Sequence, residues 1–179
     1  MTKNQRMAYI ALLSAQAVII SLVERAIPFP FMFAPGAKLG LANIITCMAL
    51  YTLPVKDTIK VIFIRLLLSG LLGGTISSFM YSSSGAVLSF AGMWAVKKLG
   101  SNRVSLIGVS TAGAFLHNVG QLLVACWIAQ TWSVLLYLPV LSVIGILAGI
   151  ATGILANFLL THVEKLEYYM FLQNTAEKK

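Results

Sequence analysis

Phe33-Ala34-Pro35-Gly36-Ala37-Lys38-Leu39-Gly40-Leu41-Ala42-Asn43 joins two apolar runs, and the fold is read outward from it. Pro35 fixes φ and Gly36 permits backbone angles closed to other residues, so the pair shapes a turn. Gly36, Ala37 and Gly40 let a helix or a ligand approach the backbone closely. Lys38 has no acid beside it and stands at the mouth of whatever the helices enclose. A tight interhelical loop whose lysine reaches the interface accounts for the same residues.

The flanking runs set the class. Of 179 residues, 59% are hydrophobic and 10% charged, with a mean hydropathy of +0.89. Soluble domains are about 45–50% apolar and about 25% charged. The chain therefore reads as one integral membrane domain over 1–179. The charge of +8 would suggest nucleic acid in a soluble protein, but the basic residues lie at the ends of apolar runs. Membrane orientation explains them, and no nucleic-acid partner is expected. Cys47 and Cys126 lie inside apolar runs and read as small core hydrophobes.

Six spans are predicted: Met7–Ile27, Leu39–Leu53, Val61–Phe79, Ala86–Val96, Val104–Gln130 and Val134–Leu160. Lys56, Asp57 and Lys60 mark one turn, the serine run Tyr81-Ser82-Ser83-Ser84-Gly85 another, and Thr131-Trp132-Ser133 a third. The tail from His162 to Lys179 is amphipathic, then polar. Gly145, Gly149 and Gly153 recur every fourth residue and give the last span a flat face for close packing. Ala11 and Ala15 make a similar pair on the first span. The basic residues gather on the side holding both termini, which the positive-inside rule places in the cytoplasm. Arg25 and Lys38 are the exceptions, and both lie in or beside the opening stretch.

Few polar groups lie at membrane depth. Asn43, Arg65, His117, Asn118, Gln121 and Asn157 do, with Glu24, Arg25 and Lys38 near the outer edge. Such groups are costly and face the bundle interior or a cavity. His117 and Gln121 share a helical face, with Asn118 beside it; they either glue helices together or line a cavity. Arg65 either reaches back to the interface or points inward, where it needs a partner such as Glu24. With one aspartate and most glutamates in the tail, no paired carboxylate, catalytic triad, metal cluster or phosphate loop is present. The chain reads as no enzyme, without cofactor or metal.

Pro35–Asn43, followed by the apolar run to Tyr51, resembles the signature of small bacterial membrane proteins called the Gx transporter family, also labelled heptaprenyl diphosphate synthase component I. The resemblance extends over nearly the whole chain. That family is similar in turn to the S components of energy-coupling factor transporters. This implies a six-helix bundle in the bacterial cell membrane with both termini cytoplasmic. It implies capture of a small vitamin-like or quinone-precursor-like solute from outside, and Arg25, Lys38 and Arg65 favour an anionic one. Docking on a shared transmembrane subunit and ATPases follows, so ATP enters only through partner subunits. The substrate-binding candidates are Arg25, Lys38, Asn43, Arg65, His117, Asn118 and Gln121. Ala11 and Ala15 match the family's docking pair. The loop Pro28–Lys38, with Pro35, Gly36 and Gly40, corresponds to its gate. The synthase label implies at most an accessory of a prenyl diphosphate synthase subunit, because such enzymes bridge diphosphate with metal ions held by several aspartates.

Overall fold

The computed structural model describes residues 2–26, 38–100 and 102–176, with side chains described as far as 162. Among them are six α-helices: α1 (Lys3–Ala26), α2 (Asn43–Thr52), α3 (Val55–Leu71), α4 (Ile76–Lys97), α5 (Leu106–Ala129) and α6 (Leu138–Ala176). A 3₁₀ segment, Trp132–Tyr137, precedes α6. Three stretches are long and apolar enough to cross a membrane: Lys3–Ala26, Leu106–Ala129 and Trp132–His162. Their exposed faces carry Leu12, Ile19, Trp127, Leu147 and Phe158, as lipid-facing helices do.

α2 is the axis of the bundle. Asn43 through Leu50 are buried without a break, and α2 touches α1, α3, α4, α5 and α6. A helix apolar all round has no solvent face to keep. Leu13, Cys47, Ala49, Val61, Met93, Val109 and Ala156 form the core around it. Cys47 and Cys126 are buried and unbridged, as their apolar settings predict. The glycine ladder of α6 seats on α5: a Cβ on Gly149 would come within 2.6 Å of the Thr111 Cα, and one on Gly153 within 2.8 Å of the Ile107 Cα.

Several predicted boundaries are corrected. The serine run is not a turn; it lies inside α4, where the Ser84 hydroxyl donates to the Gly120 carbonyl at 2.8 Å. The break falls earlier, at Gly73 with φ 118°, and Thr75 caps α4 by accepting from the Ser78 N–H at 3.1 Å. Lys56, Asp57 and Lys60 belong to α3, which begins right after Pro54; Asp57 in its first turn suits the positive end of the helix dipole. α2 has only 10 residues, about 15 Å long and half the hydrocarbon thickness. α6 begins at Leu138 rather than Val134 and continues to Ala176, through much of the predicted tail. Asn157 is exposed on its outer face, not inward.

Candidate functional site

The described chain resumes at Lys38, and the stretch Lys38–Ala42 crosses the end of the bundle before α2. Two side chains hold it. The Glu24 carboxylate, at the end of α1, accepts from the Gly40 N–H and, at 3.2 Å, from the Leu41 N–H. The Gln121 carboxamide of α5 accepts from the Lys38 N–H at 2.7 Å and donates to the Lys38 carbonyl at 2.6 Å. Gln121 thus reads the backbone like a neighbouring strand. Gly40 has φ +83°, and a Cβ there would lie 2.8 Å from both Asn43 Nδ2 and His117 Cδ2. Only glycine meets both demands.

Under this stretch lies a small cavity of about 10 Å³, room for about one water. α1 contributes Ser21 and Glu24, and α3 contributes Arg65, Leu66 and Ser69. Ser82 comes from α4 and His117 from α5, while Lys38, Gly40 and Ala42 close the mouth. Arg65 is 4% exposed and turned into this cavity, so it does not reach back to the interface. No described carboxylate lies within ion-pair distance of it; Glu24 acts on it only at longer range. Its expected pairing with Glu24 is therefore corrected: Glu24 turns one oxygen, Oε1, to the backbone N–H groups of Gly40 and Leu41 instead. Burial, and then Arg25 nearby, pull the Lys38 ammonium down to about 8.

His117 is 4% exposed, and its ring nitrogens face the Gly85 backbone without a well-formed hydrogen bond. Its ring is wedged between Gly40 and Gly85; a Cβ on Gly85 would stand 2.6 Å from Nδ1. Asn43, 2% exposed, likewise keeps both carboxamide atoms without a described partner, behind Gly40. An unmatched buried polar group costs about 1–3 kcal/mol, so such groups are retained where something else meets them.

Arg25 and Asn118 do not line the cavity, although Arg25 stands close enough to act on Lys38. Arg25 donates to the Ser69 carbonyl at 2.8 Å, tying α1 to the end of α3. Asn118 donates to the Leu141 carbonyl at 2.7 Å and joins α5 to α6. Pro35 and Gly36 lie outside the described residues, as does the predicted gate from Pro28 to Ala37. Ala11 and Ala15 are exposed on the outer face of α1, open to lipid or a partner helix.

Sequence reasoning missed Ser21, Ser69 and Ser82. Ser21 stands one turn before Glu24 and Ser69 one turn after Arg65, so helical spacing from the charged residues could have found both. Ser82 was concealed by its reading as a turn.

The heptaprenyl diphosphate synthase component I family matches residues 13–159. The chain belongs to this family. The match runs from the first core residues of α1 to the ladder end of α6, and so includes every side chain of the cavity. No curated protein and no solved structure matches it.

Proposed function

We propose that this member of the heptaprenyl diphosphate synthase component I family is a non-enzymatic, solute-binding membrane subunit. It captures a small anionic solute at the Lys38–Ala42 mouth and passes it inward with the help of partner chains. The observation that carries the reading is the pair of cations, Lys38 and Arg65, lining one small cavity beside a single carboxylate. A protein does not keep a buried guanidinium in an apolar helix without a use for it, because the desolvation cost is several kcal/mol.

In this reading the chain resembles the S components of energy-coupling factor transporters. The mouth faces outward and both termini lie in the cytoplasm of a bacterial cell, which the basic residues at the opposite end support. The alanine face of α1 docks on a shared transmembrane subunit, and ATP is used by partner ATPases. With about one water's room in the cavity, solute entry requires the Lys38–Ala42 stretch to shift. The Glu24 and Gln121 bonds are what must break.

A second reading follows from the family's description. The chain would then be a membrane accessory of a prenyl diphosphate synthase, with metal and catalysis on the other subunit. Purification in mild detergent, followed by mass spectrometry of bound small molecules and partner chains, separates the two. A bound organic anion or membrane-coupling subunits support capture. A soluble prenyl synthase chain, with no bound solute, supports the second.

A further inference from the structure

We infer that the cavity takes a doubly charged tetrahedral oxyanion, the head of a phosphate monoester, held by Arg25, Lys38 and Arg65. This rests on the solute-capture reading above.

Positive charge is in excess there. Lys38 and Arg65 line the cavity together with Glu24. Arg25 stands just outside the wall and acts on the Lys38 ammonium more strongly than Glu24 does. Its Nε is buried without a hydrogen-bond partner. Its Nη2 donates to the carbonyl of Ser69, a wall residue, at 2.8 Å. Three cations therefore surround one carboxylate. With His117 as the neutral imidazole, two positive charges are left over.

No further acid can balance them. The chain's other acids are Asp57, Glu164, Glu167 and Glu177. Asp57 is at the far end of the bundle, bonded to Arg6 and Lys60. The three glutamates lie beyond residue 162, past the far end of the contact between α6 and α5. Residues 27–37 contain no charged side chain. A monoanion would leave one charge unanswered in a low-dielectric site; a dianion answers both.

Hydrogen-bond donors are in excess as well. Arg65 is 4% exposed, yet no described acceptor takes a bond from its guanidinium. The Lys38 ammonium is equally free among the described residues, since only its backbone is engaged. The Ser82 hydroxyl is buried on the wall without a partner. Glu24 Oε1 is already taken by the Gly40 and Leu41 N–H groups. An arginine fork fits two oxygens of one anion. A carboxylate has only those two oxygens and one charge. A phosphate monoester has three terminal oxygens and two charges, and so meets donors from α1, α3 and the crossing stretch together. Such a head is larger than one water, so it enters with the shift of Lys38–Ala42 described above.

The test puts a thiol on the wall at a residue that none of these bonds uses. Ser21 lines the cavity and is 5% exposed, and Ser21→Cys is nearly isosteric. Purified full-length protein in phosphate-free buffer is labelled with methyl methanethiosulfonate, which is small and neutral. The parent chain, whose two cysteines are buried, gives the background. Phenyl phosphate and phenyl sulfate share shape and oxygen count but differ by one charge. At neutral pH phenyl phosphate should shield the thiol at about tenfold lower concentration, the scale of one charge at close range. Between about pH 5 and pH 7 the phosphate ester loses its second proton, near pH 6, and the sulfate ester does not titrate. Glu24, Arg25, Lys38, Arg65 and His117 act on both esters, so the ratio of the two reports the solute's own proton. That ratio should rise with pH over this range. Arg25→Gln keeps a donor for the Ser69 carbonyl but drops the charge, and should bring the ratio close to one; Arg25→Lys should preserve it.

Shielding by phenyl sulfate at least as good, a ratio flat with pH, or a ratio untouched by Arg25→Gln would each overturn the dianion while leaving capture standing. A thiol that the reagent labels but neither ester shields would sink the capture reading with it. sn-Glycerol 3-phosphate and dioctanoyl phosphatidate carry the same head. Whichever shields at the lower concentration tells a water-soluble ester from a lipid headgroup.

Discussion

At one end of the bundle Arg6, Asp57, Lys60, Lys97 and Lys98 are answered. Asp57 takes Arg6 from α1 and, at 2.8 Å, Lys60 from its own helix. Lys97 donates to the Leu50 carbonyl at 2.6 Å and stands 4.4 Å from the Tyr51 ring, and Lys98 lies 3.6 Å from the Trp94 ring. At the other end, about 27 Å along α1 at 1.5 Å per residue, three cations stand around one carboxylate, and the His117 ring and the Asn43 carboxamide lack a well-formed hydrogen bond. Both ends are built from the same helices and the same kinds of residue. The difference is in what is left over. A matched end holds helices in place and needs nothing more. An unmatched end carries a standing cost, of the kind binding sites keep so that a ligand can relieve it.

The comparison breaks most sharply at Arg65. Arg65→Met should weaken binding of a co-purifying anion by about a hundredfold, the upper range for one charge-assisted bond. Calorimetric titration of the purified variant measures it. An affinity within a factor of two of the parent would make Arg65 a structural charge, and the two ends would then be alike.

Lys38→Met follows, with a loss of about tenfold to a hundredfold. Here pH offers a second reading with opposite signs. The Lys38 ammonium is drawn down to about 8 in the folded protein, against an ordinary value of 10.5. Between these values the unfolded chain holds more protons, so stability without solute should rise as pH climbs through that window. Anion binding needs the proton and should fall over the same range. In Lys38→Met both slopes should flatten. If melting temperature and affinity move together instead, Lys38 does not act as assigned.

Asp57→Asn belongs to the matched end and should do the reverse. It removes the negative partner of Arg6 and Lys60, so the melting temperature should drop while anion affinity at a common lower temperature stays put. A variant that melts normally but loses the solute would show that the two ends communicate.

How far the sequence shows this contrast depends on the range of the interactions. The apolar runs, the glycine ladder of α6 and the interior placement of His117 and Gln121 follow from helical spacing, which is local. Polarity misled at Ser82–Gly85, because serines in a helix can bond to neighbouring backbone and need not mark a turn; Gly73-Gly74 before Thr75 was the truer signal. Whether Arg65 pointed inward was open, since spacing allows a long side chain either course. The Glu24 bonds to Gly40 and Leu41, and those of Gln121 to Lys38, join residues far apart in the chain. No local pattern announces them, and they are what define the mouth.

The smallest effect tests whether the matched end is inert toward solute. Lys97→Met removes a bond to the Leu50 carbonyl near the end of α2 and a cation over the Tyr51 ring. Lys97 is half-exposed, so water can replace part of what is lost, and the bond and the ring contact together should be worth about 1 kcal/mol. For a chain of this size that is about 2–4 °C in melting temperature. Tyr51→Leu alone removes only the ring contact, so the double variant should cost less than the two singles added together. Anion affinity should not change in any of the three, because no cavity residue touches this pair. A shift in affinity without a shift in melting temperature would mean that α2, which begins at the mouth with Asn43 and ends beneath Lys97, carries strain from one end to the other. The free polar groups beside the cavity would then be one terminal of a coupled helix rather than a self-contained site.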